Sequence, residues 1–188
     1  MKSIFNTTDN KDIINRINKL SSDSTAQWGK MKVSQMLAHA QVPIKVALGE
    51  VKLKRGLIGL LFGSLAKKQL LKETPFKKDL PTDKNFIIQG IPDFEKEKQS
   101  LITLVQRLEK SENNLSKEPH PFFGKMEVKE WDVLMMKHLD HHLQQHPKLN
   151  FDWGKGFLIA RITLPDSAAC FSHILRIDWK NSQPFLSN

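Results

Sequence analysis

The ten residues 137–146, KHLDHHLQQH, hold four of the chain's seven histidines. His138 and His142 stand four residues apart, the spacing at which helical side chains become neighbours and two imidazoles can ligate one divalent ion. On a helical projection both rings continue the stripe made by Trp131, Leu134 and Met135, all within about 60° of His138, while Asp140 falls on the opposite, solvated side. In the stretch KMKVSQMLAHAQVPIKVAL, Gln35, Met36, Val42, Pro43 and Val46 lie within about 60° of His39, which therefore also faces inward. A buried polar ring without a partner costs about 1–3 kcal/mol, so three inward imidazoles need something to satisfy them. A divalent transition metal held by His39, His138 and His142 would do so, and three protein ligands leave a position for water or substrate. His141 is an alternative ligand or an outer hydrogen-bond partner, as are Gln145 and Gln35. The rival reading is a metal-free binding module in which the rings bond to one another, to Gln35 and Gln145, or to buried water.

The other histidines carry less. His146 falls in the last turn, where a partly charged ring would suit the negative end of the helix dipole. His120, before a proline in EPHPFFGK, reads as a turn residue, and His173 supports no assignment. No side chain stands out as a general base, so catalytic residues are not assigned. Glu127 and Glu130 sit at the start of the histidine helix and suit its positive end.

Four amphipathic helices are needed to position these rings. The first is expected over about Asp9 to Leu20, with Thr7, Thr8 or Asp9 as cap and Ile13, Ile14, Ile17 and Leu20 on one face. The second begins near Lys32, with Pro43 predicting a kink or an early end. The third starts after Asp93 and places Phe94, Leu101, Leu104, Val105 and Leu108 on one side. The fourth runs from about Glu127 to His146, where Pro147 stops it. This pattern predicts an all-α four-helix bundle over residues 1–146 with a long crossover connection. Beyond it, residues 147–188 form a C-terminal extension of uncertain structure, in which FLIARITL and HILRIDW read as short strands of a hairpin or as a poorly ordered tail.

Within the crossover, KLKRGLIGLLFGSLAKK has an apolar centre far shorter than the roughly 20 residues needed to span a bilayer. Its basic flanks suit a helix lying on an anionic membrane surface, but its glycines weaken a persistent surface helix, which favours a short helix covering the core. No transmembrane segment is expected. The 188 residues suffice for one domain with a real core, and 39% hydrophobic with 26% charged residues is ordinary for a globular protein. The net charge of +9 comes from scattered lysines rather than a basic block, so nucleic-acid binding is the weaker alternative. A single cysteine, Cys170, excludes an intrachain disulfide framework, and with no apolar leader at the N-terminus a cytoplasmic location is expected.

The motifs HLDHHLQQ and WGKMKVSQMLAHAQVP resemble the last-helix signature H-x-x-H-H-x-x-Q and the single-histidine second-helix block of DinB-like, or YfiT-like, metalloenzymes. HPFFGKMEVKEWDVLMMKHLDHHLQQ resembles more specifically one bacterial branch of that superfamily, a domain of unknown function. The resemblance covers roughly residues 1–146 and implies a four-helix bundle in which His39, His138 and His142 bind a divalent metal, commonly zinc or nickel. It further implies a small-molecule substrate, with a low-molecular-weight thiol as one candidate, and transferase or hydrolase chemistry. The forty or so residues after the last helix have no counterpart in the pattern; they could cover the site or pair with another subunit in a homodimer.

Overall fold

A computed structural model describes residues 2–80, 82 and 86–147, and among these the chain forms five α-helices and no strand. Helix α1 spans Thr7–Asn18. It begins two residues before the expected start because Asn6 is the cap, its Oδ1 accepting the backbone N–H of Thr8 at 2.9 Å and of Asp9 at 3.2 Å. Ile13 and Ile17 are fully buried on its inner face.

Helix α2, Val33–Ala47, starts where expected and does not end at Pro43 but continues for another turn. Proline inside a helix costs about 3 kcal/mol. Continuing α2 buries Ile44, Val46 and Ala47, and a fully buried Ile or Val contributes about 1.5–3 kcal/mol, which offsets that cost. Proline lacks the N–H that would bond the carbonyl four residues back, and that carbonyl belongs to His39.

Helix α4, Phe94–Glu109, is capped by Asp93, whose carboxylate accepts the Lys96 N–H at 2.7 Å. Helix α5 covers Val128–Gln145. At its start the Glu130 carboxylate accepts the Glu127 N–H at 2.9 Å and a bond from the Lys67 ammonium at 2.9 Å. Helices α1 and α2 each pack on both α4 and α5. α1 and α2 thus take diagonal corners, as do α4 and α5, which is why the connections within those two pairs are long, whereas α2 and α4 are neighbours. Two buried or rim contacts lock the corners: Asn10 Nδ2 donates to the carbonyls of Ile4 and Val105 at 2.9 and 2.8 Å, and Arg16 pairs with Asp140 at 2.8 Å. Asp140, expected in solvent, is therefore only half exposed.

Helix α3, Leu57–Leu70, lies in the crossover but does not cover the core as expected. It buries Gly59, Gly63 and Leu70 and leaves its larger apolar residues outside. The physical reason is contact distance. A Cβ at Gly59 would sit 2.7 Å from the Pro121 carbonyl oxygen, and one at Gly63 would sit 2.1 Å from that of Phe122. Only the glycine face can approach this backbone, so the leucines turn outward. The Lys137 ammonium, from α5, donates to the carbonyls of Leu70, Lys72 and Thr74 and fixes the far end. No helix among the described residues is long and apolar enough to cross a membrane. The strands expected beyond Pro147 lie outside the described residues.

Leu37, on α2, has no exposure and belongs to the hydrophobic core of the bundle. Leu37→Ala should lower unfolding stability by about 2–5 kcal/mol, read as a lower urea midpoint at unchanged m-value. A loss below about 1 kcal/mol would contradict the close packing described here.

Candidate metal centre

The three histidines singled out from the sequence converge. His39 comes from the middle of α2, and His138 and His142 from successive turns near the end of α5. His39 Nε2 lies 3.1 Å from His138 Nε2, and His142 Nε2 lies 3.2 Å from the same atom. One nitrogen from each ring falls within 4.8 Å of the others. An ion about 2.0–2.1 Å from each nitrogen requires them to stand about 2.9–3.4 Å apart, depending on the angle at the ion; the two spacings to His138 fit, and the His39 and His142 nitrogens lie within 4.8 Å of each other.

The far sides of two rings decide how their near sides point. His39 Nδ1 donates to the Phe86 carbonyl at 2.9 Å, which leaves Nε2 as a bare lone pair. His142 Nδ1 lies 2.9 Å from Gln145 Oε1. The Gln145 amide is oriented in turn, because its Nε2 donates to the Trp28 carbonyl at 2.6 Å, and so Oε1 must accept from His142. His142 Nε2 is then also a bare lone pair. Both face His138 Nε2, which can offer at most one proton to two acceptors. With all three rings neutral, the rings themselves leave one lone pair without a proton; a cation satisfies all three nitrogens, and the metal-free alternative needs a water there.

Protonation does not rescue the metal-free network. Burial pushes the His142 ring down from 6.5 to about 3, with the nearby His39 ring acting in the same direction. Burial also takes His138 well below 6.5, helped by His142 and His39. For His39 burial lowers the value and the Phe86 carbonyl partly offsets it. The rings are neutral near pH 7, the form that ligates a metal. His39 and His142 are buried, and His138 is half-buried as a residue.

Of the remaining expected residues, Gln145 bonds directly to His142. Gln35 acts at one remove. Its Oε1 accepts the Lys32 N–H at 3.0 Å, and its Nε2 donates to the carbonyls of Gly90 at 2.8 Å and Ile88 at 3.4 Å. It thereby ties the start of α2 to the segment that carries the Phe86 carbonyl. His141 packs edge-on between Trp28 and Phe76, with its ring 5.2 Å from that of His142, and lines a cleft of about 470 Å³ together with Trp28, Phe76 and Met136. None of the three clustered histidines lines that cleft. His146 is buried and burial lowers its pKa, so it caps α5 as a neutral ring rather than as a charged dipole partner. His120 builds a turn, its Nδ1 accepting the N–H groups of Phe122 and Phe123 at 3.1 Å each.

Sequence reading missed Phe86, Trp28 and Gly29. The first two contribute backbone carbonyls, which leave no signature in residue type. Gly29 has φ +77°, and a Cβ there would lie 2.6 Å from Gln145 Nε2. The Trp-Gly pair ahead of α2 was the available signal. The Gln27 N–H, donating to the Gln145 carbonyl at 2.8 Å, completes the stitching of this loop to the end of α5.

Two outcomes follow for chelated, metal-free protein. Gly29→Ala imposes a strained φ and displaces the Gln145 amide, so it should destabilise the fold by at least about 1 kcal/mol, seen as a lower melting temperature; an unchanged one would contradict the close approach. The second concerns pH. The folded rings titrate below 6.5, so on acidification the unfolded chain takes up protons first. The stability tied to these rings is complete above about 6.5 and is lost progressively below it, down to about 3 for His142. Urea midpoints measured from pH 7 to 5 should fall, and less steeply in His142→Gln. Equal slopes in the two proteins would remove this account.

Searches of curated proteins and of solved structures find no match to this chain. The family described as protein of unknown function (DUF1569) matches residues 2–148, which contain all five helices and the three clustered histidines. The chain belongs to that family.

Proposed function

We propose that His39, His138 and His142 hold a divalent transition metal, zinc or nickel, and that the bundle is a DinB-like metalloenzyme scaffold. The observation that carries this reading is the pair of oriented lone pairs: two Nε2 atoms are fixed by Phe86 and Gln145 to face a third, each about 3 Å from it, with all three nitrogens within 4.8 Å. A bound ion of this kind would act as a Lewis acid and could lower the pKa of a coordinated thiol or water.

The chain's own residues do the rest. His39 and His142 are held rigidly from behind, and the half-buried His138 faces both. The resemblance to DinB-like proteins supports transfer to or from a low-molecular-weight thiol, or hydrolysis, as the reaction, and three neutral ligands leave a position open for it. Within this reading the Phe86 and Gln145 contacts raise the basicity of the ligand rings and fix their direction, while Gln35 holds the Phe86 segment in place.

The test is elemental analysis of protein purified without an affinity tag, together with titration of chelated protein by zinc and by nickel. The expected result is about one ion per chain and a higher melting temperature on adding it. His138→Ala should lose the ion and keep its helicity, and Gln145→Ala should bind it about 10–100-fold more weakly. A chelated protein whose melting temperature is indifferent to both metals would overturn the proposal in favour of the metal-free module.

A further inference from the structure

Residues 51–72 contain six lysines and arginines and no aspartate or glutamate. The centre of this segment is α3, which carries Leu57, Ile58, Leu60, Leu61, Phe62 and Leu65, each between 56 and 78% exposed. A helix with this composition ordinarily turns its apolar residues inward. Here it cannot, because its glycine face is pressed on the Pro121–Phe122 backbone too closely to admit a Cβ, and rotation would drive a leucine into those carbonyls. Lys67 holds the same orientation by donating to the Lys125 carbonyl at 2.6 Å and to the Glu130 carboxylate at 2.9 Å. On a helical projection Phe62, Ile58, Leu65, Leu61 and Leu57 cover an arc of about 140° opposite the glycines. The outward face is therefore apolar by construction of the fold.

The charges around it distinguish what can cover it. Lys52, Lys54 and Arg55 precede the helix, Lys68 stands in its last turn and Lys72 follows it, all exposed, with Lys52 also paired to Glu118 at 3.5 Å. A second copy of the chain, docked face to face on a twofold axis, would bring the same cations against these and be repelled. An anionic lipid surface would instead accept the apolar arc between its headgroups and neutralise both basic ends. At 14 residues α3 is about 21 Å long, too short to span a bilayer, so it would lie in the plane of the interface. We propose that α3 is an in-plane anchor by which this bundle docks on an anionic membrane surface. The inference is independent of the metal reading, since none of the three histidines lies on α3.

The experiment is co-sedimentation of the full chain with vesicles of phosphatidylcholine alone and with vesicles containing about 30 mol% phosphatidylglycerol. The chain should sediment with the anionic vesicles, not with the neutral ones, and less at higher salt. Leu61→Ser/Leu65→Ser should reduce partitioning at least about tenfold at unchanged circular dichroism, and Lys54→Glu/Lys68→Glu should reduce it as well. Absence of binding to the anionic vesicles overturns the proposal. So does full binding by the leucine variant, which would mean charge attraction alone, or a wild-type dimer that the leucine variant converts to a monomer, which would make the face a self-association surface.

Discussion

Two hydrogen bonds on the outer sides of two imidazole rings, His39 to the Phe86 carbonyl and His142 to Gln145, decide what the interior of this bundle can hold. Each uses the ring's only proton and so commits the opposite nitrogen to being an acceptor. Aimed at a third ring with one proton at most, the two acceptors create a shortage of donors inside a buried cluster. Burial lowers the pKa of all three rings, which disfavours meeting the shortage with extra protons near pH 7. What distinguishes this cluster from an ordinary set of core histidines is that shortage, and proximity alone would not have shown it.

The supporting structure is arranged around those bonds. Gln145 can reach the Trp28 carbonyl only because residue 29 has no side chain, and that carbonyl in turn fixes which end of the Gln145 amide meets His142. Gln35 ties down the segment carrying Phe86. On the other side of α5, His141 fills a slot between Trp28 and Phe76. Adjacent histidines in one helix thus serve different ends, one turned to the cluster and one to an aromatic wall, because successive helical positions point about 100° apart.

Much of this was legible in the sequence, and the reasons are physical. The four bundle helices show as apolar residues at helical spacing, and the three clustered histidines show because His138 and His142 sit four apart and His39 shares its face with Met36 and Val46. Helix ends were shifted where an equally good cap stood earlier, as with Asn6. The early end that Pro43 allowed does not occur, because burial of the following turn outweighs the missing bond. The orientation of α3 could not be read from its leucines, because it is set by how closely two glycines approach the backbone of residues more than fifty positions away. The same holds for Phe86 and Trp28, whose contribution is a carbonyl that every residue possesses.

The diagonal placement of α1 from α2, and of α4 from α5, bears on what the chain would do if it were cut. A break in the crossover between α2 and α4 would give one piece bearing α1 and α2 and another bearing α4 and α5, and in each piece the helices would be missing their main packing partners. Neither fragment has a core of its own to fold around. The first carries one imidazole of the cluster and the second carries two, so the polar centre and the hydrophobic interior come into being together, only when the pieces reunite.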